Sequence, residues 1–218
     1  MSLTVSIGQL AFLLAHDPKE VGRFRKALRA VNRVLTAKGL PTHNEPESLP
    51  ELVDRAPVLG SIPYGWLQYT RRAVAYAMRP GKRFRPLDDE EDPSADPMYD
   101  ALLSSSDSHI ICHSDCEGFY VPIDFPKPLY DPLPDSDPDV IRGGGILGSS
   151  QGGLRELVLA APLLDIPLKG GRLSVKEARV ICAEEEDAHP HWVARQAWLF
   201  MYERLRQSIE YGAAAVFA

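Results

Sequence analysis

No stretch of this chain approaches the ~18–20 consecutive apolar residues of a membrane span, so no membrane partner is expected. Cysteine is scarce: the three present cannot all pair and show no framework spacing, which points to a reducing, cytoplasmic setting. The opening string MSLTVSIGQLAFLL has neither a basic first segment nor a small-residue cleavage site, so it does not read as a signal peptide. Positive charge is also in deficit, with 24 Lys and Arg against 30 Asp and Glu and a net charge of −6. That balance argues against nucleic-acid binding driven by bulk charge. No nucleophile elbow, HExxH motif, EF-hand loop or kinase signature is present, and no 20–50-residue repeat.

What is present is an ordinary globular composition, 44% hydrophobic and 25% charged over 218 residues. Wholesale disorder is excluded, and one domain spanning 1–218 is expected. The first half reads as helical. Asp17-Pro18-Lys19-Glu20 resembles a helix start, and Val21, Phe24, Leu28, Val31 and Leu35 then recur every three or four residues up to Gly39. Arg23, Lys26, Arg29 and Arg33 fall on the opposite, solvent-facing side. Ser48-Leu49-Pro50-Glu51 is a capping box for a short helix through Val53. A further helix over 64–78 carries Trp66, Tyr69, Ala73 and Tyr76 on one stripe, read as core rather than a ligand groove.

Charge then changes sign within a few residues. Arg71, Arg72, Arg79, Lys82, Arg83 and Arg85 precede Asp88, Asp89, Glu90, Glu91, Asp92 and Asp96, with prolines at 80, 86, 93 and 97. A polar charged loop over about 79–97 follows, a solvated excursion or a bipolar docking surface. The middle of the chain reads as β. Residues 108–113 and 119–125 are expected to pair antiparallel across a turn at 114–118. A Pro-rich surface loop covers about 126–142. The last third returns to helix, roughly 150–164, from the Ser174 capping box toward 186, and 192–211; 213–217 is a candidate terminal strand. The fold class is therefore α+β, mostly helical with a small antiparallel sheet.

Three constellations carry potential chemistry. His109, Cys112, His113 and Cys116 would converge on zinc only from a helix, and strand alternation separates them, so no metal site is assigned. His113, Asp115 and Glu117 form the second, with His113 as a base and the acids orienting it or holding Mg²⁺ or Mn²⁺. The third is the turn from Gly143 to Ser150, in which Gly145, Gly148, Ser149 and Ser150 form a candidate anion site at a helix start. No strand-rich context for a dinucleotide fold surrounds it.

The strings HSDCEGFYVPIDF (113–125) and GSSQGGLREL (148–157) resemble those of an uncharacterised bacterial protein family of about this size. That resemblance implies no established activity and transfers no catalytic residue. The expected function is accordingly a non-enzymatic, cytosolic protein-binding role, antidote-like or another interaction, without a cofactor. Its partner would be another protein rather than nucleic acid. The alternative is a metal-assisted hydrolase or transferase built on His113, Asp115, Glu117 and the Gly143–Ser150 turn.

Overall fold

In the computed structural model, residues 2–50, 59–79, 81–88, 90–105, 107–134, 137–142, 144–186 and 188–217 are described. In chain order the elements are β1 (Ser2–Leu3), β2 (Val5–Ile7), α1 (Gln9–His16), α2 (Val21–Ala37), β3 (Ile62–Pro63), α3 (Tyr64–Met78), α4 (Pro97–Ser105), α5 (His109–Cys112), β4 (Gly118–Val121), β5 (Leu129–Tyr130), β6 (Ile146–Ser149), α6 (Ser150–Ala160), α7 (Val175–Cys182), α8 (Trp192–Tyr211) and β7 (Ala215–Phe217). Single 3-10 turns occupy Pro93–Ala95 and Ala161–Leu164. The fold is α+β and mostly helical.

Helices form where apolar spacing required them. Phe24 and Phe200 are both buried, so α2 and α8 turn their predicted stripes inward. Helix α2 starts at Val21, four residues after Asp17, because 18–20 make a separate turn closed by the Glu20 amide on the Asp17 carbonyl. The Ser174 hydroxyl accepts the Glu177 amide at 3.2 Å and donates to the Glu177 carboxylate, so Ser174 is the N-cap of α7. The Ser48 capping box falls at 48–53, where residues 51–53 lie outside the described residues.

A two-stranded antiparallel sheet joins β1 to β3. The larger sheet has the order β2-β7-β4-β6-β5, with β4 parallel to β6 and the other pairs antiparallel. Strand β7, 95 or more positions from its neighbour β4, therefore sits inside the sheet rather than at its edge. Alternation along β4 sends Tyr120 into a core built with α3, α6 and α8, while Phe119 and Val121 join Phe24, Val31 and Leu35 of α2 on the other face. The sheet thus lies between two helical layers.

The expected hairpin does not form. Residues 109–112 are a helical turn, and β4 pairs with β6 and β7 instead. The cause is a buried cap. The Ser108 hydroxyl accepts the Ile111 amide at 3.0 Å, and the Glu156 carboxylate of α6 accepts from the Ser108 hydroxyl and from the amides of His109 and Ile110 at 2.7–2.9 Å. Three orphan amides at one helix start find partners this way. A carboxylate supplied from 48 positions away overrides the β-branched preference of Ile110 and Ile111.

Arg71 and Arg72, which open the basic block, lie on α3 as the 64–78 helix requires, but inside the protein. Each is 4% exposed on α3. Arg71 donates to the carbonyls of Ile110 (2.9 Å) and His113 (2.5 Å), ending α5.

Candidate functional site

The sequence-predicted residues are not brought together. His113 is buried between the rings of Tyr120 (4.2 Å) and Phe217 (4.7 Å). Its two ring nitrogens face the carbonyls of Ser114 and Phe119, at 2.8 and 3.2 Å, and neither faces a carboxylate. Burial holds its pKa down at about 4, with Arg71 adding to the effect against the pull of the Ser114 carbonyl. Asp115 points elsewhere, accepting from Gln68 at 3.1 Å with Arg71 at 3.9 Å. Glu117 pairs loosely with Arg142 at 3.6 Å. A ring enclosed by aromatic groups and aimed at carbonyls is placed to lock the α5–β4 connection, not to meet a substrate.

The glycine turn is equally inward. Ser149 is the N-cap of α6: its hydroxyl accepts the Gly152 amide at 3.0 Å and donates to the Ile123 carbonyl at 2.8 Å. Ser150 bonds Ser208 of α8 at 2.7 Å, and both serines are fully buried. Gly148 packs so closely on Tyr120 that an added Cβ would stand 2.4 Å from the ring, and Gly145 turns with φ 71° onto Asp131. The glycines serve close packing here, and the helix start faces protein.

The helical turn at 109–112 restores the premise on which His109, Cys112, His113 and Cys116 might share an ion. Tertiary contacts separate them all the same. His109 lies against Phe125, with one ring nitrogen toward the Phe125 carbonyl and the other accepting from the Ser149 amide. Cys112 is buried and Cys116 exposed. No group of three metal-ligating side chains gathers among the described residues.

What the fold does expose is carboxylate. From position 86 to 126 the chain holds eleven acids (positions 88 to 92, Asp96, Asp100, Asp107, Asp115, Glu117 and Asp124) and no Lys or Arg. Six are matched by a cation outside that run: Glu91 by Arg85, Asp96 by Arg72, Asp107 by Lys127, Asp115 by Arg71, Glu117 by Arg142 and Asp124 by Arg155. Asp88, Glu90, Asp92 and Asp100 are exposed and make no ion pair among the described residues. They sit on the connection into α4 and on its first turn.

A second acidic segment meets the first. The Phe84 ring stacks on His191 at 4.9 Å, joining the start of the 84–100 segment to the loop before α8. That loop carries Glu185 and Glu186, both exposed and without an ion pair among the described residues, while Glu184 turns inward to Arg195. Free acids therefore leave the Phe84–His191 stack in both directions. From sequence, the charge reversal at 79–97 reads as a solvated excursion or a bipolar docking surface, without singling out the acids. The run without a base from 86 to 126 was the available signal.

Fold and surface together define an α+β protein that presents carboxylates from a rigid frame. A family model described as "Putative DNA-mimic protein" matches residues 1–217, and the chain belongs to that family. No curated protein and no solved structure matches the chain. Family membership corrects the expected function. In place of an antidote-like binder or a metal-assisted hydrolase, it implies a protein that binds DNA-binding proteins. The partner expected from sequence, another protein of unspecified kind, is corrected to that narrower class, and the exclusion of nucleic acid itself is compatible with it. No helix among the described residues is long and apolar enough to cross a membrane.

Proposed function

We propose that this protein occupies the DNA-contacting surface of a DNA-binding protein, using Asp88, Glu90, Asp92 and Asp100, with Glu185 and Glu186 beside them, in place of backbone phosphates. The observation that carries this is the clustering at 88–100 of exposed acids that make no ion pair among the described residues, in a chain whose family is described by DNA mimicry. Carboxylates offer Lys and Arg the same anionic oxygen acceptors that phosphates do, including bidentate geometry for guanidinium. A DNA-binding surface is selected for such contacts, and it releases no sequence constraint by accepting them from protein. The function needs no cofactor and belongs in the cytoplasm, where both the thiols and a DNA-binding target are at home.

The test is competition. Full-length protein is immobilised, incubated with extract of the source cell and washed with duplex DNA at constant ionic strength. Proteins released by the duplex, and not by an equal concentration of a neutral polymer, support the function. Retention of nothing that duplex DNA displaces would overturn it.

A further inference from the structure

The segment that carries the free acids is pinned at both ends by one buried side chain. Arg72, on the third turn of α3, donates from Nε to Asp96 at 2.7 Å and from Nη1 to the carbonyl of Arg85 at 2.8 Å. Its guanidinium carbon lies 5.0 Å from the Tyr76 ring centre and 4.8 Å from that of Phe84, and the two rings meet edge-on at 5.3 Å, so an aromatic pair packs against it. The Tyr76 hydroxyl donates to the same Asp96 oxygen at 3.1 Å.

From these two pins the order spreads outward. The second Asp96 oxygen accepts the Met98 amide at 2.8 Å and so caps α4. Burial alone would push the Asp96 carboxyl up, but the bonds from Arg72 and Met98 outweigh it and leave the pKa below the usual carboxylate range. At the other end the Arg85 side chain grips Glu91 with two bonds of 2.5 and 2.7 Å, and Glu91 accepts the Asp88 amide at 2.9 Å. Asp88, Glu90 and Asp92 lie between the pins, and Asp100 follows on the helix that Asp96 caps.

We propose that Arg72 is the positioning residue of the docking surface. It touches no partner. It fixes where the carboxylates stand relative to one another, and a DNA-binding protein, whose cations are spaced for phosphates, rewards only a matching arrangement. The proposal rests on the DNA-mimic function above. Pre-set geometry lowers the ordering cost of binding, whereas a loose acidic loop of the same charge would have to be ordered on contact. Lysine cannot replace arginine here, because a single ammonium on a flexible stem cannot bridge Asp96 and the Arg85 carbonyl while keeping a flat face on the aromatic pair.

Arg72→Lys keeps the net charge and so separates geometry from charge. Amide hydrogen exchange across 84–98 is followed on the free full-length chain, beside the salt dependence of its affinity for the protein released by duplex DNA. The expected result is exchange at 84–98 faster by about tenfold or more, as for losing a hydrogen bond to a charged group, with α8 unchanged. Affinity should fall by a similar factor and its salt slope should become shallower, because fewer carboxylates engage together. Phe84→Ala, which removes a half-buried cover without entering the core, should produce the same pattern more weakly and serves if the lysine variant does not fold. Unchanged exchange at 84–98 in both variants would overturn the proposal, as would faster exchange with affinity and salt slope unaltered. If wild-type protein retains nothing that duplex DNA releases, the DNA-mimic function itself fails, and this role falls with it.

Discussion

Two acidic stretches of similar composition end in opposite states. In the Pro-rich stretch after β5, Asp131 has a fully buried side chain that accepts from Arg33 at 2.6 Å and from the amides of Leu133 and Ile141. Asp139 pairs with Lys26 at 2.7 Å, and Asp137 accepts the Asp139 amide. The basic face of α2, which sequence alone assigns to solvent, lies under this stretch and takes up its charge. In the 84–100 segment Arg85 pairs Glu91 and Arg72 of α3 pairs Asp96, while Asp88, Glu90, Asp92 and Asp100 are exposed and make no ion pair among the described residues, the Asp92 carboxylate bonding the neighbouring Ser94. Acidity is structural in one stretch and available in the other. Composition cannot make that distinction, because what differs is which cations the facing helix brings alongside each stretch.

The sharpest way to break this contrast is charge reversal. Replacing Asp88, Glu90, Asp92 and Asp100 together by Lys should abolish binding that duplex DNA displaces, a loss of at least about a hundredfold, since several ionic contacts are inverted at once. Circular dichroism should show the fold intact. Equal binding by this variant would move the docking face elsewhere.

The Pro-rich stretch should respond in stability instead. Asp131→Ala leaves the amides of Leu133 and Ile141 without their acceptor and Arg33 with only the Asp139 carbonyl, and should lower unfolding free energy by about 3 kcal/mol in a urea titration. Asp139→Asn removes a pair whose partners are both about half exposed, and should cost no more than about 0.5 kcal/mol. Neither change should alter DNA-displaceable binding. If Asp139→Asn weakens binding as much as a single change in 88–100, the two stretches are not distinct.

Acid separates the contribution of the frame from that of the surface. Burial keeps His109 and His113 at pKa about 4 in the fold, against about 6.5 when unfolded. The unfolded chain then binds more protons between those values. Stability present above about pH 6.5 is lost as pH falls toward 4, by up to about 3 kcal/mol for each histidine. Buried Glu156, whose carboxyl is raised chiefly by desolvation, runs the other way and offsets part of the loss. Urea midpoints should fall between pH 7 and 4.5, and His113→Gln should show a smaller fall than the wild type. An equal fall in both would show that His113 ionises freely in the native state.

A smaller effect should sharpen the picture of the docking face. Lys82 and Arg83 are exposed just before the free acids, and a cationic partner surface would meet them as like charges. Lys82→Gln with Arg83→Gln should strengthen binding by a few-fold, on the order of 1 kcal/mol or less. Titration against the DNA-released protein at two salt concentrations checks it, because the gain should shrink at high salt.

Local pattern and distant partner divide what was legible. Helices α3 and α8 match their expected bounds because three- and four-residue apolar spacing is a property of the segment itself. The 108–113 segment was misread because Ile110 and Ile111 favour a strand locally, while Glu156 caps a helix there from another element. His113, Asp115 and Glu117 are adjacent in sequence, yet one faces an aromatic cage, one an α3 amide and one a surface arginine. Adjacency set no geometry. Arg71 and Arg72 fall on the expected helix, but charge alone does not reveal that both are buried.

The amino-acid sequence by itself determined the α+β class, the long helices, the inward stripes of α2 and α8, and the fact that acids outnumber bases from 86 to 126. Each follows from neighbours within a turn or two, where periodicity and capping act. Only the tertiary structure decided which carboxylates stay free, that a C-terminal strand enters the middle of the sheet, and that Arg72 goes inside to hold the acidic segment. Those outcomes depend on which cation, carbonyl or ring is brought alongside from dozens of positions away, and a charge is neutralised by what stands next to it in space.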